Sequence, residues 1–265
     1  MPAMPAYYVP HGGGPCFFMD WNPPDTWKKL GAWLRAIPAA LPRRPKAQVV
    51  ISAHWEAPRF TLLTTPDPDL LYDYYDFPPH TYDLHWPAPA APELFERVRG
   101  LLRGAGLALD EDDRRGFDHG VFIPGLLSFP QADMPTVQIS LRQGLDPEEH
   151  LALGRALAPL RDADVLLVGS GMSFHNMRAF RYGDNMPIPG AEAFDRWLVE
   201  SVCDLPPTAR NQRLERWTEA PGARFAHPRE EHLLPLMVLA GAAGQGRLAF
   251  HGRAMGAPLA GFALA

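Results

Sequence analysis

Five of the ten histidines in this 265-residue sequence stand in surroundings that favour chemistry. They are His11, His54, His119, His175 and His232. Imidazole nitrogens bind iron, zinc, copper and nickel, and a site with two histidines and a third ligand leaves positions open for a substrate. A histidine also exchanges protons near neutral pH, which suits it for acid–base catalysis. No pair has the short spacing of an HExxH motif, so a shared site needs ligands from distant segments.

Three of these histidines follow segments with the pattern of buried strands. His11 comes directly after an apolar run, His54 ends the segment Ala47–Ala53, and His175 closely follows Val165–Gly169. In open α/β sheets, sites form beyond the carboxyl ends of the strands, so we expect these side chains to share one crevice. A single histidine at a strand end is usually structural, and the hypothesis therefore depends on the group.

Strand-like and helix-like patterns alternate along the chain. Apolar and β-branched runs predict strands at Ala47–Ala53, Phe60–Thr64, Thr136–Ser140, Val165–Gly169 and Arg247–His251. Helical spacing predicts helices that begin after Asp25 or Thr26, at Pro92, after Asp146, around Phe194–Val202 and over Pro228–Ala240, the last bent by Pro235. Such alternation is typical of an α/β domain.

The composition is that of an ordinary globular protein, with 46% hydrophobic residues, 21% charged residues and a formal net charge of -5. No basic stripe is visible, which argues against nucleic acid as a partner. No apolar run approaches the roughly 20 residues of a membrane span, and the first residues lack a signal-peptide pattern, so a cytoplasmic location is expected. Cys16 and Cys203 are expected to be free thiols. His150 lies in a polar helical pattern and is expected to be exposed.

The segment from Asp67 to Pro92 is rich in Tyr, Asp, Pro and Trp, and it is predicted to be a long loop. Long ordered loops in compact domains are often functional. A proline-stiffened surface cover is an equally good interpretation.

The segment His11–Gly14 spells HGGG, which is the oxyanion motif of some lipases and esterases. That chemistry also needs a nucleophilic serine within Gly-x-Ser-x-Gly. The nearest approach is Gly171–His175, which ends in histidine instead of glycine. Without a nucleophile elbow, the sequence disfavours a serine hydrolase.

Seven groups of residues form an ordered set along nearly the whole chain. They are His11–Pro15, Ile51–Glu56, Tyr82–Pro89, Gly116–Gly120, Pro135–Ser140, Gly169–Gly171 with His175–Arg178, and Glu231–Leu236. Together they resemble the class III extradiol ring-cleaving dioxygenases, in the DOPA-dioxygenase branch. Any one of them alone is a weak signal, whereas the ordered set is fairly specific.

The resemblance implies a single α/β domain over residues 1–265, with a central mixed β-sheet flanked by helices. The metal ligands that it implies are His11, His54 and His232. It places His175 beside the metal, as an acid or base and as a candidate fourth ligand. It assigns His119 to the substrate pocket, with a catalytic role.

Two features leave details of this site open. More distant class III enzymes use a carboxylate as the third ligand, so Glu230 or Glu231 competes with His232. The branch commonly has His-Gly-Ser-Pro at the first ligand, whereas this chain has His-Gly-Gly-Gly-Pro followed by Cys16–Met19. That difference changes the pocket wall and leaves the substrate open. The candidates for the wall are Phe17, Phe18, Tyr72, Tyr82, His85 and Trp86.

The implied reaction opens a catechol-type ring with O2 next to the two hydroxyls and gives a muconic semialdehyde. Ferrous iron is the expected metal because it can move electrons between a catecholate and dioxygen. Zinc can occupy the same ligands in an isolated protein, but it has no redox chemistry. The expected partners are a small aromatic catechol and O2, with no nucleic acid and no membrane. Two alternatives stay open: a metal-dependent hydrolase, and a non-catalytic metal-binding or scaffold protein of the same fold.

Overall fold

One mixed β-sheet of eight strands runs through residues 2–265, the part of the chain that the computed structural model describes. The strands are β1 (Ala6–Pro10), β2 (Ala47–Ala57), β3 (Phe60–Leu63), β4 (Leu109–Asp112), β5 (Thr136–Arg142), β6 (Val165–Gly171), β7 (Gly246–Ala254) and β8 (Ala257–Leu264). Their spatial order is β4-β3-β5-β2-β6-β1-β8-β7. The flanking helices are α1 (Lys28–Ala40), α2 (Pro92–Gly104), α3 (His119–Ser128), α4 (Pro147–Leu157), α5 (Ala191–Cys203), α6 (Pro207–Glu215), α7 (Ala223–Ala226) and α8 (Leu234–Ala242).

The middle of the sheet is parallel, with β5, β2, β6 and β1 running in one direction. Antiparallel pairs are found towards its edges, where β8 joins β1, β7 joins β8 and β3 joins β5. The predicted α/β fold with a central mixed sheet is therefore confirmed. Because neighbouring central strands are parallel, their carboxyl ends meet at one edge of the sheet.

Helices cover both faces of the central strands. Tyr7, Val50 and Val168 line a narrow gap between the sheet and helices α1 and α3. Gly169, the next residue of β6, points to the opposite face. A Cβ there would lie 2.6 Å from the carbonyl oxygen of Pro235, so α8 rests directly on β6. With both faces covered, the central strands are almost continuously buried, as apolar parallel strands are.

The five predicted strands are all present, and four of them run two or more residues further than their patterns indicated. As a consequence, His54 lies inside β2 and not after it. Two strands were not predicted, β4 and β8, whereas β1 contains the strand-like apolar run that precedes His11. The pattern of β4 is Leu-Asp-Glu-Asp, and an edge strand of this kind carries charges that discourage pairing with another chain.

The predicted helices near Pro92, Asp146 and Phe194 are confirmed, and Asp146 caps α4 by accepting from the Glu149 amide at 3.1 Å. The predicted cap of α1 is wrong. Its N-cap is Trp27, and the Thr26 hydroxyl instead donates to the Pro23 carbonyl at 2.7 Å.

The last predicted helix is shorter than expected. It begins at Leu234 instead of Pro228, and Pro235 lies in its first turn, where no amide donor is needed. Pro235 therefore starts this helix and does not bend it. His232 consequently lies in the turn before α8, outside the helix.

Both cysteines are free, Cys16 buried and Cys203 half-buried. Among residues 2–265, no helix has both the length and the apolar character to cross a membrane. The expected exposure of His150 is wrong, because α4 packs this ring edge-on against Phe60. Its Nδ1 donates to the Asp146 carbonyl at 2.7 Å.

Acid should destabilise the fold partly through His150. Burial lowers its pKa to about 4, whereas an unfolded chain protonates a histidine near pH 6.5. The contribution of His150 to the free energy of unfolding is complete above about pH 6.5. It is lost as the pH falls towards 4, because only the unfolded state then gains the proton. The free energy of unfolding should fall by up to about 1.4 kcal/mol per pH unit from this residue.

Urea unfolding of wild type and His150→Gln between pH 7 and pH 4.5 measures this contribution. We expect a shallower pH dependence in the variant. Some slope should persist, since burial also lowers the pKa of His227, to about 3. Equal slopes in the two proteins would contradict the assignment to His150.

Candidate metal centre and active-site cleft

The parallel strands bring the histidines to one edge of the sheet. Pro10 of β1 pairs with Gly171 of β6, and the amide of His11 then donates to the Gly171 carbonyl at 3.1 Å. On the other side of β6, Ser52 of β2 pairs with Ser170, two residues before His54. His11, His54 and His175 line one cleft, as the sequence predicted, although His54 lies inside β2 and not after it.

His232 reaches the same edge from the turn before α8. Its carbonyl oxygen accepts from the Tyr8 hydroxyl at 2.8 Å and from the Met172 amide at 3.1 Å. A Cβ on Gly171 would overlap that same carbonyl, so glycine is required for this close approach. The turn is thus held against β1 and β6 by backbone contacts.

Three imidazole nitrogens converge at this point. His54 Nε2 lies 3.0 Å from His11 Nε2 and 3.3 Å from His232 Nε2. Metal–imidazole bonds are about 2.0–2.1 Å long, which places neighbouring donors around one ion roughly 3 Å or slightly more apart. The three donors therefore fit a single transition-metal ion.

The second nitrogen of each of these rings faces a polar group. The partners are Ser170 Oγ for His11 at 3.0 Å, Glu231 Oε1 for His232 at 3.0 Å, and Asp73 Oδ2 for His54 at 3.7 Å. Metal-binding histidines characteristically use their free nitrogen in this way, which fixes the tautomer and the ring orientation. The arrangement leaves all three Nε2 atoms directed at the centre.

His175 packs against one side of this group. Its ring stacks on His232 with centroids 3.4 Å apart and planes at 19°. Its Nδ1 lies 3.2 Å from Glu231 Oε1. Glu231 therefore serves two histidines at once.

His119, the first residue of α3, packs against the other side. Its ring centroid is 3.9 Å from that of His54, and its Nδ1 lies 2.8 Å from Asp73 Oδ1. The same oxygen accepts from the His119 amide at 2.9 Å. Asp73 thus connects His119 to His54 as Glu231 connects His175 to His232.

Burial sets the protonation of the central rings. It lowers the pKa of His11, His54 and His232 well below the ordinary value, and neighbouring histidines lower it further. These rings are therefore neutral near pH 7, as metal ligation requires.

The two carboxylates remain ionised although they are partly buried. Burial acts to raise their pKa values, but hydrogen bonding and charge outweigh it. The pKa of Asp73 is lowered by His119 and that of Glu231 by His175. Both can therefore accept from an Nδ1–H group.

Glu230 and Glu231 stand outside the group of converging Nε2 atoms. Glu230 pairs with Arg224 at 2.6 Å. Glu231 faces the Nδ1 atoms of two histidines, and its second oxygen lies 3.5 Å from Arg229. The geometry supports Glu231 as an orienting partner and His232 as the ligand.

A buried polar network fixes the start of α3. The Asp118 carboxylate is fully buried at its N-cap and accepts three hydrogen bonds. The donors are Ser52 at 2.6 Å, Gln138 at 2.5 Å and Arg115 at 3.2 Å. Because His119 follows Asp118 directly, the network also fixes the position of that histidine.

A cleft of about 240 Å³ opens above the five histidines, and small-molecule sites are typically concave clefts of this kind. Its other lining residues are Gly12, Gly13, Gly14, Trp21, Trp27, Phe77, Met172, Met177, Phe180, Tyr182 and Met255. Gly12 has φ +85°, and a Cβ there would overlap the Cys16 sulfur. Glycine after the first histidine is therefore a steric requirement of this backbone.

The predicted wall residues lie outside this lining. Phe17 packs edge-on against Trp27, the Phe18 carbonyl accepts from His80, and the Tyr72 and Tyr82 hydroxyls bond backbone oxygens. Trp86 is buried with its N–H on the Phe129 carbonyl, and His85 joins it in a separate cleft. Most of these aromatic side chains hold the loop against the domain, which agrees with the alternative interpretation of this loop as a surface cover.

The loop instead provides Asp73 and Phe77 to the site. Neither residue carries a distinctive local motif in the sequence, because Asp73 lies in a run of similar Tyr and Asp residues. Ser170 and Asp118 lie within two of the segments that carry the family resemblance, Gly169–Gly171 and Gly116–Gly120, and this was the available signal.

The fold and the histidines define an α/β protein with a candidate metal centre at the carboxyl edge of its parallel strands. Residues 5–262 match the family described as the catalytic LigB subunit of aromatic ring-opening dioxygenase, and the chain belongs to this family. The sequence-based assignment to the extradiol dioxygenases is thereby confirmed.

Named relatives support this membership. The chain is 36% identical to a 4,5-DOPA dioxygenase extradiol of Beta vulgaris, with 90% of this chain and 87% of the relative covered. It is 39% identical to the dioxygenase tasH of Hapsidospora irregularis, with 90% and 78% covered. The crystal structure of an uncharacterized protein from Escherichia coli K12 matches with a TM-score of 0.80 at 29% identity, covering 99% of this chain and 100% of that chain.

Replacing Gly171 with Ala should disturb the centre through the backbone of His232. The added methyl group would overlap the His232 carbonyl oxygen, and overpacking of this kind costs about 1–3 kcal/mol or more. Gly100→Ala is a matched control, because a Cβ within α2 at that position meets no atom within 4 Å. We expect a lower Tm for Gly171→Ala and an equal or higher Tm for Gly100→Ala. Equal Tm values for Gly171→Ala and wild type would show that the turn is not held as described.

Proposed function

We propose that the chain, acting as one catalytic domain, is a non-haem metal-dependent extradiol dioxygenase. Its substrate is a small catechol, its co-substrate is O2 and its product is a muconic semialdehyde. The observation that supports this most directly is the convergence of three Nε2 atoms beneath an aromatic cleft, with one further histidine on each side.

The residues that would hold the metal are His11, His54 and His232. Ferrous iron, when bound there, would supply the electron exchange between the catechol and dioxygen that zinc cannot supply. Because these three ligands are neutral, an ion held by them would keep its positive charge for binding an anionic catechol. His175 is less suited to be a fourth ligand, because its ring stacks on that of His232 and it does not belong to the converging group of His11, His54 and His232.

His119 and His175 are placed to handle protons. In each ring the carboxylate at Nδ1 favours the tautomer with its proton on that atom, which leaves Nε2 as the exchanging nitrogen. One ring can take a proton from a catechol hydroxyl, and the imidazolium formed is stabilised by the adjacent carboxylate. Two such rings on opposite sides of the centre allow removal and return of protons at different positions.

Oxygen uptake separates this proposal from its alternatives. The protein is loaded with Fe(II) under argon, then mixed with catechol and O2, and product mass is recorded with oxygen consumption. A gain of two oxygen atoms by the catechol supports the dioxygenase. A metal-dependent hydrolase consumes no oxygen, and a scaffold protein leaves every catechol unchanged.

Alanine substitution of His11, His54 or His232 should each reduce bound Fe(II) or Zn(II) from about one ion per chain to a small fraction. Elemental analysis after gel filtration measures this, with the exposed His251→Ala as a control for loss of a histidine. Glu231→Gln should retain most of its metal, because it keeps an acceptor for His232. Equal metal loss in Glu231→Gln and His232→Ala would make the carboxylate a ligand.

Alanine substitution of His119 or His175 should reduce kcat by about 10²–10⁴-fold, the range typical of acid–base groups. Turnover should fall more than stability, and metal content should change little for His119→Ala, because Asp73 still faces His54. Steady-state oxygen uptake at saturating catechol is the measurement. Full activity in both variants would remove these histidines from the mechanism.

A further inference from the structure

The cleft is apolar from its histidine floor to its rim. The buried side chains of its wall include Trp27, Met172, Phe180 and Met255. At the rim, Met177 and Tyr182 are 55% and 63% exposed. Within the described part of the chain, no Asp, Glu, Lys or Arg belongs to this lining.

The charged residues nearest the cleft are paired with other groups or lie outside its lining. The two nearby carboxylates, Asp73 and Glu231, face His119 and His175. Arg181, beside Phe180, lies 3.6 Å from Asp184 and donates to the Pro187 carbonyl at 3.3 Å. Arg178 is exposed and lies outside the lining.

The apolar lining determines which substituents are favoured on the part of a substrate that projects away from the metal centre. A carboxylate or ammonium group moved from water into such a wall loses hydration without gaining a partner. An alkyl, aryl or ester group instead gains contact with aromatic rings and with flexible methionine side chains, which adapt to irregular shapes. The two kinds of substituent are therefore discriminated by the wall and not by the histidines.

We propose that the catechol which this chain cleaves carries an uncharged, largely apolar substituent, and not the ammonium and carboxylate groups of an amino acid. This inference rests on the proposed dioxygenase function for the two hydroxyls, and it adds the chemistry of the side chain. Its specificity-determining residues are Met177 and Tyr182 at the rim and Phe180 and Met255 in the wall.

A matched pair of probes isolates charge from size. Dihydrocaffeic acid and its methyl ester differ in one methyl group and one negative charge, while 4-ethylcatechol and L-DOPA extend the comparison. With Fe(II)-loaded enzyme, kcat/KM for the ester and for 4-ethylcatechol should exceed that for the acid and for L-DOPA by about 10-fold or more. Comparable or higher kcat/KM for the acid or L-DOPA overturns the proposal while the dioxygenase assignment stands.

Binding without turnover gives an independent measurement. Isothermal titration under argon yields Kd for the same four probes, and we expect tighter binding of the ester than of the acid. If no catechol consumes oxygen but the ester still binds more tightly, the dioxygenase proposal fails and the apolar specificity stands. Equal Kd values for ester and acid, or binding of none of the probes, overturn the specificity proposal.

A designed charge at the rim should invert the preference. Met177→Arg places a guanidinium at an exposed lining position, and it should raise kcat/KM for the acid relative to the ester by about 10-fold. Met186→Arg adds the same charge at a 62% exposed position of the same segment that is outside the lining. Its acid-to-ester ratio should equal that of wild type. An unchanged ratio in Met177→Arg would show that the substituent does not reach this rim.

Discussion

Five imidazole rings lie in contact at the carboxyl edge of the sheet, and this arrangement requires the central rings to be neutral. Neighbouring centroids are 3.4 Å apart for His175 and His232 and 3.9 Å apart for His54 and His119. Two positive charges about 4 Å apart would repel by about 4 kcal/mol at an effective dielectric constant of 20. Burial and mutual proximity therefore keep the inner rings uncharged, and their lone pairs become available to a metal.

Rigid and variable parts of the chain have different roles around that centre. Strands β1 and β2 position His11 and His54, whereas Asp73 and Glu231 come from a loop and a turn. The cleft wall is likewise provided by segments outside the sheet. Because Asp73 and Glu231 each contact one histidine of the central group and one beside it, these two parts of the centre are coupled, whereas the cleft wall lies on other segments.

The sequence predicted the parts of this structure that local patterns and strand direction determine. The strand-like patterns before His11 and His54 were sufficient to predict a shared site, since parallel strands end at one edge, although β2 extends past His54. The cleft wall could not be predicted in this way, because Trp27, Phe180 and Met255 meet only through tertiary packing. The role of Asp73 was missed for the same reason: its partner His119 is 46 residues away.

The pairing of His54 with His232 joins positions that are 178 residues apart in the chain. An ion bound by both residues would close a very long loop of the chain. Closing such a loop in an unfolded chain costs conformational entropy. The Tyr8 and Met172 hydrogen bonds to the His232 carbonyl close that loop without any ion. The polypeptide can thus close this part of the fold first, and an ion bound afterwards would meet donors that are already in position.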